Sequence, residues 1–147
     1  MRQIKEVVED DYFKLDDVPR RILIISEDPL EYSATLTDED AKVMVSCKEE
    51  FKDRLEEITI PGSIEIEGKE WPVESLSFFA FRNCPNLKSV KILEGVERIL
   101  IGAFADCPRL EEIQVPKSLK YVGFGAFSGC GRLNPIPLPT STEINGN

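Results

Sequence analysis

One phrase, spoken three times between Leu76 and Leu138, restricts this chain more than any other feature. Ala80-Phe81, Ala103-Phe104 and Ala126-Phe127 recur every 23 residues, as do Cys84, Cys107 and Cys130, and Leu87, Leu110 and Leu133. The register continues through Val90, Ile113 and Ile136, then Ile92, Val115 and Leu138. Five columns agree without a gap. A fixed period in the twenties describes a solenoid, in which each unit buries its apolar face only against its neighbours.

Within a unit, Leu-x-x-Ile-x-Ile reads as a strand with the three apolar residues inward. The strands then stack one per turn into a parallel sheet, with a right-handed course from the general rule for parallel crossovers. Side chains alternate along a strand, so inward Ile58 and Ile60 send Glu57 and Thr59 outward. The matching outward residues are Ser89 and Lys91 in the next coil, then Glu112 and Gln114. Ala-Phe-x-x-Cys reads as a single helical turn whose Phe plugs the core. Pro61 and Pro116 close their strands, because proline offers no further donor. Pro135, Pro137 and Pro139 remove donors from what would be an open sheet edge. Leu55 to Pro61 fits the second half of the phrase; its spacing to Leu87 is 32, so this coil carries a nine-residue insert.

A second column runs through Phe78, Ile101 and Phe124, with Phe79 beside it. Two readings stay open. If the coil turns inward there, the column is core. If it faces out, it is an apolar stripe that marks a partner or self-association surface.

Upstream, residues 1–19 are charged and aperiodic except for Ile4, Val7 and Val8, whose spacing suits a short amphipathic turn of helix. The segment is a frayed leader or a docked helix. Arg21–Ile25 is a strand candidate stopped by Glu27-Asp28-Pro29. Tyr32–Thr37 and Lys42–Ser46 read as a hairpin with a loop of about four residues. The chain divides into a leader over 1–19, a cap over 20–50, the solenoid over 51–139 and a loose polar tail over 140–147. The cap is expected because an uncovered apolar end of a solenoid aggregates.

Composition narrows the partners. A chain of 147 residues that is 41% hydrophobic suits one compact domain. Its 27 acidic residues against 18 basic ones give a net charge of −9, which excludes a nucleic-acid partner, since phosphate binding needs a Lys/Arg surface. No apolar run approaches the ~20 residues needed to cross a bilayer, so membrane insertion is not expected. The polar start MRQIKEVVEDDYFK has no apolar signal region. That suits a cytoplasmic chain or a mature one with its leader removed.

Catalytic chemistry finds little footing. With no histidine, His-based triads and the commonest metal ligand are excluded. The glycines at 123, 125, 129 and 131 belong to the repeat and make no phosphate loop. Glu56-Glu57 and Glu111-Glu112 are poor glycosidase pairs, because adjacent strand residues point to opposite faces. Asp38-Glu-Asp40 lacks the spaced ligands of a calcium loop and reads as a solvated turn. Cys84, Cys107 and Cys130 stack about 4.8 Å apart, but side chains pointing the same way do not meet disulfide geometry. They read as buried free thiols, with Cys47 outside the column and without a partner. Zinc is a poorer reading still, since one ligand per coil makes no tetrahedron. No cofactor, metal or catalytic residue is expected.

The units AFRNCPNLKSVKIL, AFADCPRLEEIQVP and AFSGCGRLNPIPLP resemble the BspA-like leucine-rich-repeat family, and Gly68-Lys-x-Trp-Pro-Val73 is similar to that family's first coil. The resemblance covers Leu55 to Pro139. It implies an α/β leucine-rich-repeat solenoid with a parallel sheet, short helical turns and an N-terminal β-hairpin cap. It also implies a non-enzymatic protein–protein interaction module that binds through the outward sheet face, in adhesion at the cell surface or outside the cell. The competing reading is a structural cap or spacer domain of a larger surface assembly.

Overall fold

The computed structural model describes residues 2–8 and 20–145. It begins with an antiparallel meander. β1 (Gln3–Val8) pairs β2 (Arg21–Glu27), β2 pairs β3 (Leu30–Leu36), and β3 pairs β4 (Ala41–Cys47). The period-2 sequence explains the pairing: Leu23 and Ile25, Tyr32 and Ala34, and Val43 and Val45 all turn to the same side and are buried. Thr37 closes the β3–β4 loop: its N–H donates to the Asp40 carbonyl at 2.9 Å, and its hydroxyl accepts from the Asp40 N–H at 3.0 Å. The expected hairpin is therefore present, and a further strand lies on its other side. Ile4, Val7 and Val8 belong to a strand, not to a turn of helix. Their i, i+3, i+4 spacing yields to pairing with Ile25, Ile22 and Arg21 across β2. Residues 9–19 of the expected leader lie outside the described residues.

The coils follow. β5 (Glu57–Ile60), β9 (Ser89–Ile92) and β11 (Glu112–Gln114) stack in parallel, in the register 57–89–112. These are the strands read from Leu-x-x-Ile-x-Ile. Within the first coil the insert folds as a hairpin of β6 (Ser63–Ile66) and β7 (Lys69–Pro72). Glu67 and Gly68 both take positive φ at its tip, the backbone twist that two-residue hairpins require.

A second parallel ladder was not legible. β8 (Ser75–Leu76), β10 (Arg98–Ile99), β12 (Tyr121–Val122) and β13 (Glu143–Ile144) pair in sequence, one per coil. β4 pairs β8 in parallel, Met44 with Ser75 and Val45 with Leu76. Cap and coils thus share one eight-stranded sheet in the order β1-β2-β3-β4-β8-β10-β12-β13. β13 also corrects the loose tail: Glu143 N–H donates to Lys120 at 2.9 Å and Asn145 N–H to Val122 at 2.8 Å.

The helical part of the expected class is not found. The one helical element among the described residues is a 3₁₀ turn, Glu49–Phe51. Each Ala-Phe-x-x-Cys segment is a run of tight turns instead. In the first coil Ala80 and Arg82 donate back to Ser77 and Phe79, while Phe79, Phe81 and Asn83 donate forward to Ile101, Ala103 and Ala105 of the next coil. Left-handed residues punctuate the run at Phe79 and Asn83, Gly102 and Asp106, and Gly125 and Gly129. Such alternation satisfies half the donors between coils, which a helix could not do.

The core lies between the two parallel sheets. Phe81 and Phe104 are fully buried and stack at 5.2 Å; Phe104 and Phe127 follow at 5.6 Å. Phe127, Leu133, Ile136 and Leu138 of the last coil are only partly buried against that core. Residues 135–139, with their three prolines, form no strand.

Candidate interaction surface

The outward face of the β5-β9-β11 sheet is built by alternation. Ile60, Val90, Ile92 and Ile113 fix its inner side in the core, so the intervening residues stand outward. The register then aligns Glu57, Ser89 and Glu112 in one row and Thr59, Lys91 and Gln114 in the next. Ser89 is half-buried and the other five are exposed. All six residues expected on this face come together there. They line a shallow depression of about 380 Å³, floored by Ile58 and Val90. A neighbouring hollow mixes Arg54 and Lys88 with Glu56, Glu57, Glu111 and Glu112. The face offers alternating charges and hydrogen-bonding groups without an aromatic side chain. That chemistry suits a polar contact with another protein surface more than a deep anchor.

The second column is exposed, which overturns the reading that placed it in the core. Phe78 is 54% exposed, Ile101 40% and Phe124 57%, with Phe79 at 46% beside them. The physical reason is the turn that follows. Ser77, Leu100 and Gly123 turn into the wall and Ala80-Phe81 plug the core, so the residue between is left on the outside. Phe79 was singled out in the sequence only as a neighbour. It sits at φ 56°, where the next two coils have Gly102 and Gly125, both at φ 64°. Its ring covers Gly102, where a Cβ would meet Phe79 Cδ1 at 2.4 Å. The Arg82 guanidinium lies over this ring, 5.4 Å from its centroid.

The thiols form a longer column than expected. All four cysteines are free, and Cys47, read as lying apart, stands beside Cys84 at the column's cap end, its thiol donating to the Lys48 carbonyl at 3.3 Å. β4 ends at Cys47, where its N–H donates to the Ala80 carbonyl at 3.0 Å. The cap thus extends the repeat's own column. Cys107 and Cys130 donate to the Phe81 and Phe104 carbonyls at 3.1 and 3.0 Å. The Cys107 and Cys47 thiols, and then burial, push Cys84 above the ordinary thiol range. A protonated, enclosed thiol of this kind is a small hydrophobe and a poor nucleophile. Among the described residues no group of three or more His, Cys, Asp or Glu side chains is placed to hold a metal ion. No helix among them is long and apolar enough to cross a membrane.

Comparison with known proteins agrees with this architecture. Residues 50–147 match the family described as BspA type Leucine rich repeat region (6 copies). A leucine-rich repeat protein from Bacteroides ovatus is 29% identical, with a TM-score of 0.65, over 82% of this chain and 31% of that one. One from Bacteroides capillosus is 25% identical, with a TM-score of 0.70, over 84% of this chain and 88% of its own. A leucine rich cell surface protein from Faecalibacterium prausnitzii shares the fold at 23% identity and a TM-score of 0.68, over 83% of this chain and 32% of that one. The chain therefore spans about a third of the length of the first and third of these proteins. Among curated proteins none matches it.

Proposed function

The chain belongs to the BspA-type leucine-rich-repeat family, and from that premise we propose that it is a non-enzymatic interaction module that binds a protein partner through the outward face of β5, β9 and β11. The observation that carries this reading is the exposed row pair of Glu57, Ser89 and Glu112 with Thr59, Lys91 and Gln114. Three coils present side chains in register on one surface that no described part of the chain covers. In this reading residues 20–50 are the cap and residues 51–139 carry the binding coils. We place it at the cell surface, in adhesion; the surface location, though not the adhesion, draws support from the Faecalibacterium neighbour, a cell surface protein whose likeness is one of fold.

The face has no aromatic anchor, and this favours a second reading, a spacer domain of a larger surface assembly. One experiment separates the two. The wild type and the Lys91→Glu/Glu112→Lys double variant are immobilised and exposed to extracellular-matrix and cell-surface extracts. The proposal expects a protein held by the wild type and lost by the variant. Retention by both moves the site away from this face, and retention by neither leaves the spacer.

A further inference from the structure

The stripe of Phe78, Phe79, Ile101 and Phe124 is distinct from the sheet face, and its order is informative. Fully exposed Phe side chains present about 150–250 Å² each. Three rings near half exposure, with Ile101, therefore show roughly 400 Å² of contiguous apolar surface. A patch of that size is on the scale of the largest that a single chain exposes, and such patches are often functional. A standard interface covers about 800 Å² per partner, of which about 57% is apolar. The stripe thus matches the apolar share of one side of such an interface.

What selects the occupant is symmetry. Along the solenoid one column reads Phe78, Ile101, Phe124, and the column beside it reads Phe79, Gly102, Gly125. The first is the same in both directions: large, smaller, large. The second has bulk at one end and none at the other. A two-fold axis lying in the interface and crossing the stripe at Ile101 reverses both columns of the second copy. Phe78 then faces Phe124 of that copy, Ile101 faces its own equivalent, and the Phe79 ring faces Gly125. There is room to receive it, since the atom nearest to where a Gly125 Cβ would stand is Ser128 Cβ at 3.9 Å. The opposite, unreversed arrangement would set Phe79 against Phe79 and Arg82 against Arg82.

Phe79 supplies an independent sign. A bulky residue at φ 56° holds a strained left-handed conformation that its counterparts meet with glycine. The strain places one more ring on the surface where reversed pairing has a recess for it. We propose that two copies of this chain associate through this stripe about a two-fold axis at Ile101, with Phe78 against Phe124 and Phe79 against Gly125.

Sedimentation velocity of the whole chain over a range of concentrations tests this. The wild type should dimerise in the micromolar range. Phe124→Ser should weaken the dimer at least about thirtyfold, as loss of a central anchor does. Gly125→Asn, which tolerates the left-handed backbone, should do the same by filling the recess. Circular dichroism should show both variants folded, since neither side chain is in the core. Thiol cross-linking reads the register. Under a mild oxidant Ile101→Cys should form a covalent dimer by itself. Phe78→Cys should do so only when mixed with Phe124→Cys, against a wild-type control for Cys130. A wild type that stays monomeric at several hundred micromolar would overturn the proposal. So would a dimer indifferent to both variants, or Phe78→Cys cross-linking to itself.

Discussion

Phe81, Phe104 and Phe127 form one column of this molecule; Phe78, Ile101 and Phe124 form another, three residues upstream in every coil. Both keep the same 23-residue period and comparable hydrophobicity. Yet Phe81 and Phe104 are fully buried and stacked, while Phe78 and Phe124 are more than half exposed. A repeat states which residues share a column. It does not state on which side of the wall the column stands, because that depends on the backbone turn between them. Here the turn is made by residues with positive φ, and it sends one column inward and the other out.

The comparison can be broken most directly at its centre. Phe104→Ala should cost about 3–5 kcal/mol in urea unfolding, since the ring lies between two others and the cavity has no solvent route to relax into. A loss below about 1 kcal/mol would remove the distinction. Cys107→Ser should cost about 1–3 kcal/mol, because a hydroxyl is more costly than a thiol in the same enclosed column. The same unfolding curves, with Cys107→Ala beside it, isolate polarity from size. Phe79→Gly sharpens the comparison from the other side. Relief of the left-handed strain should leave stability equal or raise it by up to about 1 kcal/mol, measured as the thermal midpoint, although a large side chain has been removed. Smallest of all, Phe124→Ala should change monomer stability by less than about 0.5 kcal/mol at concentrations too dilute for association.

The columns themselves were readable because stacking imposes one residue type per position on every coil. The outward rows at Glu57, Ser89 and Glu112 and at Thr59, Lys91 and Gln114 followed from alternation alone. The ladder of β8, β10, β12 and β13 did not, because two residues per strand are too few to show a period. The turns mistaken for helix did carry a signal. Asn83, Asp106 and Gly129 occupy one column, and all three residue types accept left-handed backbone. A helix would not repeat that choice. Ile4, Val7 and Val8 misled for a different reason: their spacing fits a helix, but the strand edge of β2 outweighs local preference. Cys47 was hidden because it ends a strand of the cap, outside the 23-residue repeat that sets Cys84, Cys107 and Cys130 in one column.

The join between β4 and β8 carries a consequence for how the molecule is assembled. The antiparallel meander is made of near neighbours in sequence and closes few long loops, whereas each parallel strand after it must wait for a whole turn of chain. β4 therefore serves as the template on which the first coil is laid, and each coil becomes the template for the next. Order should spread from the cap toward Glu143, and fraying under denaturant should run back the same way. In hydrogen exchange the amides of β3 and β4 should be the last to open and those of β13 the first.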